Sequence, residues 1–151
     1  MPLLFCFGSN NPRQLTERVG PPKGIYAAFA PYHKRVFRGW SRNWQGGVAT
    51  LVPSTSRPAY GYAAELSLAQ IKDMDEYEGV SSGLYTRRLI NVVVDIVVYD
   101  QDAPQGEERQ AYAYLKESTE FNAPSLDYLK AVAATIGTFW QINGLQDIKI
   151  E

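Results

Sequence analysis

Short apolar runs, each followed by a cluster of glycine, proline or serine, recur along the sequence and constrain its fold more than any other feature. Runs of this length that are rich in β-branched and aromatic residues favour β-strands, and the clusters between them favour turns. The runs predict strands at 3–7, 25–30, 35–40, 47–52, 59–66, 84–99 and 110–115. The polar segment 100–109 between the last two predicts a hairpin with a loose loop.

Three further segments have the features of short helices. Each follows a serine or asparagine that can cap a helix and each ends at a glycine, so the predicted bounds are 12–19, 68–78 and 125–137. Five to seven strands that do not alternate strictly with these helices predict an α+β fold. We expect a mixed sheet that curls into a barrel-like form, within one domain that spans residues 1–151.

The charge balance argues against a nucleic-acid partner. Lys and Arg number 15, Asp and Glu number 16, and the formal net charge is −1, whereas nucleic-acid binders usually carry a basic excess. Cys6 is the only cysteine, so no intrachain disulfide is expected and a reducing compartment, the cytoplasm, is predicted. The first apolar run ends at Gly8 and is too short for a signal peptide or a membrane span, so no membrane partner is expected.

The single histidine narrows the chemistry further. Zinc sites with several His or Cys ligands, and the H-E-x-x-H motif, need more such residues than the chain has, so we predict no metal. His33 lies in the polar run 32–35 and is predicted to be a surface or turn residue. Cys6 lies in an apolar strand without an evident base, which is typical of a small core residue rather than a nucleophile.

One carboxylate of the second predicted helix is a candidate for proton transfer. Ile71, Met74 and Glu78 are spaced i, i+3 and i+7, which places Glu78 in line with the apolar stripe of the helix. Burial and the negative end of the helix dipole both raise the pKa of such a carboxylate. A raised pKa suits a group that transfers protons near neutral pH.

Two other interpretations of this helix stay open at the sequence level. Glu78 can turn outward at the helix end or form a structural ion pair with Arg87 or Arg88. Asp75 lies near the same stripe and is the rival candidate, although its shorter side chain, one turn earlier, favours a hydrogen-bonding role.

A second candidate feature is the turn Phe7-Gly8-Ser9-Asn10. A glycine after a buried strand lets the backbone approach a ligand closely, and free N–H groups where a helix begins favour a carboxylate or a developing oxyanion. The same residues also occur in turns that bind nothing, so the motif alone leaves both interpretations open.

Several segments resemble those of the γ-glutamylcyclotransferase family. Two resemble its signatures F-x-Y-G-S-N and E-G-V-x-S-G-x-Y, namely FCFGSN at 5–10 and EGVSSGLY at 78–85. Three more are similar to other segments of the family: WQGGVAT at 44–50, AYAYL at 111–115 and APSLDY at 123–128. The segments occur in the family's order, and the resemblance covers the chain from 4 to about 137.

The resemblance implies an enzyme that closes a γ-glutamyl group onto its own α-amine and releases 5-oxoproline and a free amine. It implies a small-molecule γ-glutamyl substrate, no metal and no organic cofactor. The implied catalytic acid/base is Glu78. The implied substrate-binding residues are Leu4, Phe5, Cys6, Phe7, Gly8 and Ser9, which form a loop around the γ-glutamyl part, and Tyr85 and Tyr128, which border the site.

The sequence leaves the exact substrate open. Phe7 replaces the tyrosine usual in the family, so either the backbone supplies recognition there or the substrate preference differs. The alternatives are a γ-glutamylamine cyclotransferase that frees lysine from γ-glutamyl-ε-lysine, and a non-catalytic ligand-binding homologue. A glutathione-specific enzyme is disfavoured, because EGVSSGLY follows the amino-acid-type pattern. The oligomeric state, a homodimer included, is also left open.

Overall fold

A computed structural model describes residues 1–95 and 106–140 of the chain. Its helices are α1 (Pro12–Val19), α2 (Leu68–Tyr77) and α3 (Leu126–Phe139). Its strands are β1 (Leu3–Cys6), β2 (Gly24–Ala30), β3 (His33–Ser41), β4 (Gly46–Pro53), β5 (Ala59–Glu65), β6 (Thr86–Asp95) and β7 (Glu107–Leu115). These elements confirm the predicted α+β class.

Five of the strands form a closed barrel in the order β1-β5-β2-β6-β7. Neighbouring strands are antiparallel except at the closing seam, where β1 pairs in parallel with β7 through Leu4 and Tyr112. The hairpin of β3 and β4 makes a separate two-stranded sheet. The curled, barrel-like sheet expected from the sequence is therefore confirmed, whereas positions 96–105 of the expected 84–99 strand and 100–109 loop lie outside the described residues.

The core is divided between the two faces of β1, all four residues of which are buried. Phe5 belongs to a cluster with small alanines of the barrel strands and with Val132 and Ile136 of α3. Leu4 belongs to a second cluster. Helix α1 contributes Leu15 to this cluster, and α2 contributes two residues. Because both faces are covered, β1 is a continuous apolar run in the sequence.

The helices begin at the predicted capping residues. Asn11 Oδ1 accepts a hydrogen bond from the N–H of Gln14 at 2.8 Å, and Ser67 and Gln70 form a reciprocal capping box. Two predicted ends were wrong. Helix α2 ends one residue before Glu78, which is its C-cap, and α3 passes through Gly137 because that glycine has no positive φ to end it.

His33 is not the surface or turn residue that was predicted, and Arg35, two residues later in β3, is buried. Arg35 is only 1% exposed, and its guanidinium donates hydrogen bonds to the carbonyls of Phe7 (2.8 Å) and Tyr60. His33 begins β3 and is half-buried, and burial lowers its pKa. The prediction for His33 was wrong because a polar run normally indicates solvent, whereas this run begins a strand in which backbone carbonyls solvate Arg35.

Candidate active site

A cavity of about 610 Å³ opens where β1, the β3–β4 hairpin and the C-terminal end of α2 meet. Its lining includes every residue that the sequence predicted for the site: Leu4, Phe5, Cys6, Phe7, Gly8, Ser9, Glu78, Tyr85 and Tyr128. These residues come from separate parts of the chain, and closure of the barrel brings them together. The cavity is therefore the candidate active site.

The turn after β1, formed by Gly8, Ser9 and Asn10, lines this cavity. In the described part of the chain, no group accepts a hydrogen bond from the N–H of Gly8, Ser9 or Asn10. The side-chain Oδ1 of Asn10 is likewise buried without a partner there. Buried polar groups in proteins normally have partners, so this cluster is suited to bind a polar ligand.

The residues just before the turn do not form a loop, contrary to the expectation for 4–9. Leu4, Phe5 and Cys6 are strand residues of β1, and their exposed fractions are 1%, 1% and 6%. Their side chains pack into the two core clusters. Burial raises the pKa of the Cys6 thiol to about 12, so the thiol is protonated at neutral pH and lacks the thiolate of a nucleophile.

Phe7 stands where a tyrosine was expected. It is 6% exposed, and its ring centroid lies 5.8 Å from that of Phe5 in a stacked arrangement. Its carbonyl accepts the hydrogen bond from buried Arg35. Phe7 has no hydroxyl, but the hydrogen bond from Arg35 holds its backbone in place at the start of the turn.

Glu78 lies at the end of α2, beside the turn. Its N–H donates to the carbonyl of Met74 at 2.9 Å, and Gly79, with φ of 64°, then redirects the chain. Burial raises the pKa of the carboxyl group, and the positive charge of Arg18 opposes that rise. Among the described residues, the carboxylate has neither a hydrogen-bond donor nor an ion-pair partner.

The ion pairs that were alternatives for Glu78 are made by other carboxylates. Arg87 Nη1 lies 2.8 Å from an oxygen of Asp75, and Arg88 Nη2 lies 3.2 Å from an oxygen of Glu117. The other oxygen of Asp75 accepts a hydrogen bond from a tyrosine hydroxyl at 2.7 Å. Asp75 is thus occupied, as its predicted hydrogen-bonding role requires.

Tyr128 joins the turn to the β3–β4 hairpin. It is 4% exposed, its hydroxyl accepts a hydrogen bond from the N–H of Ala49 at 2.8 Å, and its ring centroid lies 5.1 Å from that of Trp44. A Cβ added at Gly8 would lie 3.3 Å from this hydroxyl. Burial raises the pKa of Tyr128 to about 12, so the hydroxyl keeps its proton at neutral pH.

Tyr85 lies on another wall of the cavity and is half-buried. The Nζ of Lys116 lies 5.3 Å from the centroid of its ring. Burial also raises the pKa of Tyr85, so its hydroxyl is neutral at physiological pH.

Three basic residues of the cavity were missed by the sequence analysis: Arg18, Arg42 and Lys116. For Arg18 a signal was present. It stands three residues after Leu15, which is fully buried, so the two share one face of α1. The same spacing argument pointed to Glu78. For the other two no local pattern distinguishes a cavity residue from an ordinary surface charge.

The described residues contain no group of His, Cys, Asp and Glu side chains that could hold a metal ion. Within the same ranges, each helix is too short or too polar to cross a membrane.

The fold and the cavity define a class of small α+β barrels in which a half-buried carboxylate and a glycine turn line one cavity. The family model described as gamma-glutamyl cyclotransferase, AIG2-like, matches residues 4–130, and the chain belongs to that family. The resemblance drawn from the sequence motifs is confirmed.

Individual relatives agree with this assignment. The γ-glutamylcyclotransferase of Homo sapiens is 30% identical over 138 residues, which cover 86% of this chain and 67% of that protein. The enzyme of Mus musculus is 31% identical with the same coverage. A solved structure of a gamma-glutamyl cyclotransferase shares the fold with a TM-score of 0.78, at 23% identity over 99% of this chain and 89% of the other.

Proposed function

We propose that this chain is a γ-glutamylcyclotransferase that converts a γ-glutamyl amino acid or peptide to 5-oxoproline and a free amine. Membership of the family and the named relatives support the activity. The observation that carries the proposal is the position of Glu78, an unpartnered carboxylate beside a turn with free N–H groups. The two groups supply what an amide cyclisation needs, a base and an oxyanion site.

In the proposed mechanism, Glu78 takes a proton from the α-ammonium of the substrate. The α-nitrogen then attacks the γ-carbonyl carbon and forms a C–N bond, while the carbonyl oxygen becomes an oxyanion that the N–H groups of Gly8 and Ser9 stabilise. Glu78 returns the proton to the leaving nitrogen as the original amide C–N bond breaks, and the second proton of the attacking nitrogen then passes through Glu78 to the released amine, which leaves as an ammonium ion. No water is consumed, and the carboxylate ends in its starting state.

The cavity walls contribute orientation. Closing a five-membered ring is already unimolecular, so the enzyme gains most by holding the chain bent with its amine against its carbonyl. Tyr128 and Tyr85 keep their protons at neutral pH and border this space. We assign both a role in substrate binding.

The test is the substitution Glu78→Gln, which keeps the shape and removes the base. General acid–base catalysis contributes about 100- to 10,000-fold, so formation of 5-oxoproline from γ-glutamyl-alanine should fall by at least about 100-fold. Glu76→Gln is the matched control, since Glu76 is an exposed carboxylate of the same helix. Near-normal turnover by a folded Glu78→Gln protein would refute the assignment.

A substrate panel decides among the remaining alternatives. γ-Glutamyl-alanine, γ-glutamyl-ε-lysine and glutathione are compared side by side, and we expect the first to be turned over most efficiently. Preference for the lysine isopeptide would indicate a γ-glutamylamine cyclotransferase. Thermal stabilisation by 5-oxoproline without turnover of any member would indicate a non-catalytic binding protein.

We also propose that the enzyme acts in the cytoplasm. The support is limited to cysteine usage, because Cys6 is the only cysteine and is a buried free thiol.

A further inference from the structure

One end of the cavity holds two opposite charges that do not pair with each other. Arg18 of α1 and Glu78 after α2 both line it, and the Arg18 guanidinium carbon lies 5.5 Å above the ring centroid of Tyr77, the residue before Glu78. No ion pair joins the two side chains, so their nitrogen and oxygen atoms are more than 4.0 Å apart. Among the described residues the guanidinium also has no hydrogen-bond acceptor.

Unpaired charges of this kind are rare in a half-buried place. Arg18 and Glu78 are both half-buried, and burying a charge is costly unless a partner compensates it. Among the described cations of the cavity, Arg18 is the one that lies over the ring of Tyr77, which precedes Glu78, so it belongs to the same end. The unpaired charges therefore indicate a ligand that has both signs of charge on adjacent groups.

The free end of a γ-glutamyl group is such a ligand, because its α-carbon carries an ammonium and a carboxylate. We propose that Arg18 binds the α-carboxylate of the γ-glutamyl group while Glu78 receives the α-ammonium on the same carbon. This inference rests on the proposed function and assigns the recognition of the α-carboxylate to a side chain. An arginine suits the task because its planar fork can bind both carboxylate oxygens.

The assignment also means that different groups of the cavity bind different parts of the substrate. With the α-carboxylate held by Arg18, the N–H groups of Gly8, Ser9 and Asn10 remain available for the γ-carbonyl oxygen, where charge develops. The substrate is then fixed at both ends of the bond that forms. Arg18 thereby sets specificity for γ-glutamyl over related acyl groups that lack the α-carboxylate.

The first test compares two substrates that differ only in that group. γ-Glutamyl-alanine carries the α-carboxylate, whereas 4-aminobutanoyl-alanine has hydrogen in its place and cyclises to 2-pyrrolidinone. In Arg18→Gln we expect kcat/KM for γ-glutamyl-alanine to fall about 10- to 100-fold more than kcat/KM for the analogue, as for a lost charged hydrogen bond. Arg18→Lys should restore part of the loss, and Arg13→Gln, an exposed arginine of the same helix, is the control.

A purely electrostatic or structural role predicts a different pattern. If Arg18 only modifies the pKa of Glu78 or holds α1 in place, Arg18→Gln slows both substrates by the same factor. An equal loss of kcat/KM for both substrates, or an unchanged preference for γ-glutamyl-alanine over the analogue, overturns the proposal.

The second test does not require turnover. In the Glu78→Gln background, binding of 5-oxoproline and of 2-pyrrolidinone is measured by calorimetry with and without Arg18→Gln. We expect 5-oxoproline alone to lose affinity, and an equal effect on both, or no effect, overturns the proposal. If the wild-type protein forms no 5-oxoproline, the proposed function fails, yet this binding comparison still decides the role of Arg18.

Discussion

At the scale of single residues, the notable feature is a carboxylate placed where ionisation is unfavourable. Glu78 is half-buried at a helix C-terminus without a described partner, and only the charge of Arg18 offsets the desolvation. Neither the burial of this carboxylate nor its place at the helix C-terminus stabilises the fold. A group retained under such conditions is a candidate for function rather than structure.

The raised pKa of Glu78 predicts how stability depends on pH. Because the pKa is raised in the folded protein above its ordinary value of 4.5, ionisation weakens the fold as pH rises through the folded-state pKa. We therefore expect Glu78→Gln to unfold at higher urea than the wild type at pH 7. The difference should vanish below about pH 4, where the carboxyl is protonated in both states. Equal urea midpoints at both pH values would contradict the assigned burial.

The same raised pKa predicts the rate profile. As a base, Glu78 acts only when ionised, so kcat/KM should fall as pH drops through its pKa, with a midpoint above 4.5. The profile is measured with γ-glutamyl-alanine. A midpoint at or below the ordinary carboxylate value would show that another group limits the rate.

Tyr128 provides a test of the cavity wall formed with the β3–β4 hairpin. Tyr128→Phe removes the acceptor of the Ala49 N–H and leaves that buried donor unsatisfied, which should cost about 1–3 kcal/mol of unfolding free energy. Urea denaturation measures the loss, and Tyr32→Phe, an exposed tyrosine, is the control. A fully stable Tyr128→Phe protein would show that the hydrogen bond does not hold the hairpin.

At the scale of elements, the site depends on close contact between the β3–β4 hairpin and the chain before α3. Glycines at positions 46 and 47 allow that contact, since a Cβ at Gly47 would lie 2.0 Å from the carbonyl oxygen of Asn122. The N–H of Gly47 also donates to the carbonyl of Ala123 at 3.1 Å. The hairpin and the start of α3 are therefore held as one unit, which carries Trp44 and Tyr128 to the cavity.

Two glycine substitutions distinguish the effect of this contact on stability from the effect of helix propensity. Gly47→Ala forces backbone against backbone and should destabilise the protein by about 1–3 kcal/mol or more, with loss of turnover. Gly137→Ala, inside α3 with open space around it, should stabilise it by about 0.5–1 kcal/mol. Thermal unfolding compares the two variants. A neutral Gly47→Ala would contradict the tight approach.

Much of this could be predicted from the sequence, because local patterns determine local structure. Apolar runs gave the strands to within a few residues, and Asn11 and Ser67 gave the starts of α1 and α2. Arg35 escaped because its neighbours in space, backbone carbonyls, leave no trace in adjacent residues. Arg18 was missed although its spacing from buried Leu15 places it on the inward face of α1. That the predicted site residues act as proposed is still a prediction, although they share one cavity.

At the scale of the whole molecule, Arg35 connects the hairpin to the barrel. From β3 it donates to the carbonyl of Phe7 after β1 and to that of Tyr60 in β5, so one buried side chain joins three strands. Among the strands that the structure describes, none of the barrel pairs with the two-stranded sheet. Their relative position, and with it the shape of the cavity between them, therefore depends on such side-chain contacts.

Removing this connection should affect the entire fold. Arg35→Met keeps much of the side-chain volume but removes the N–H donors of the guanidinium. Each buried carbonyl that loses its hydrogen bond in this way should cost about 1–3 kcal/mol of unfolding free energy. Urea unfolding monitored by tryptophan fluorescence measures the change, with Lys34→Met in the same strand as the control. If Arg35→Met were as stable as Lys34→Met, the two sheets would be held by apolar packing alone.

The parallel seam between β1 and β7 has a consequence for occupancy. The strand that closes the barrel leads through Phe7 into Gly8, so fraying of the seam would also disrupt the turn whose N–H groups we propose to bind an oxyanion. Ligand occupancy and seam closure are then thermodynamically linked, and a bound product should slow deuterium uptake along Leu3–Cys6 more than in the outer hairpin.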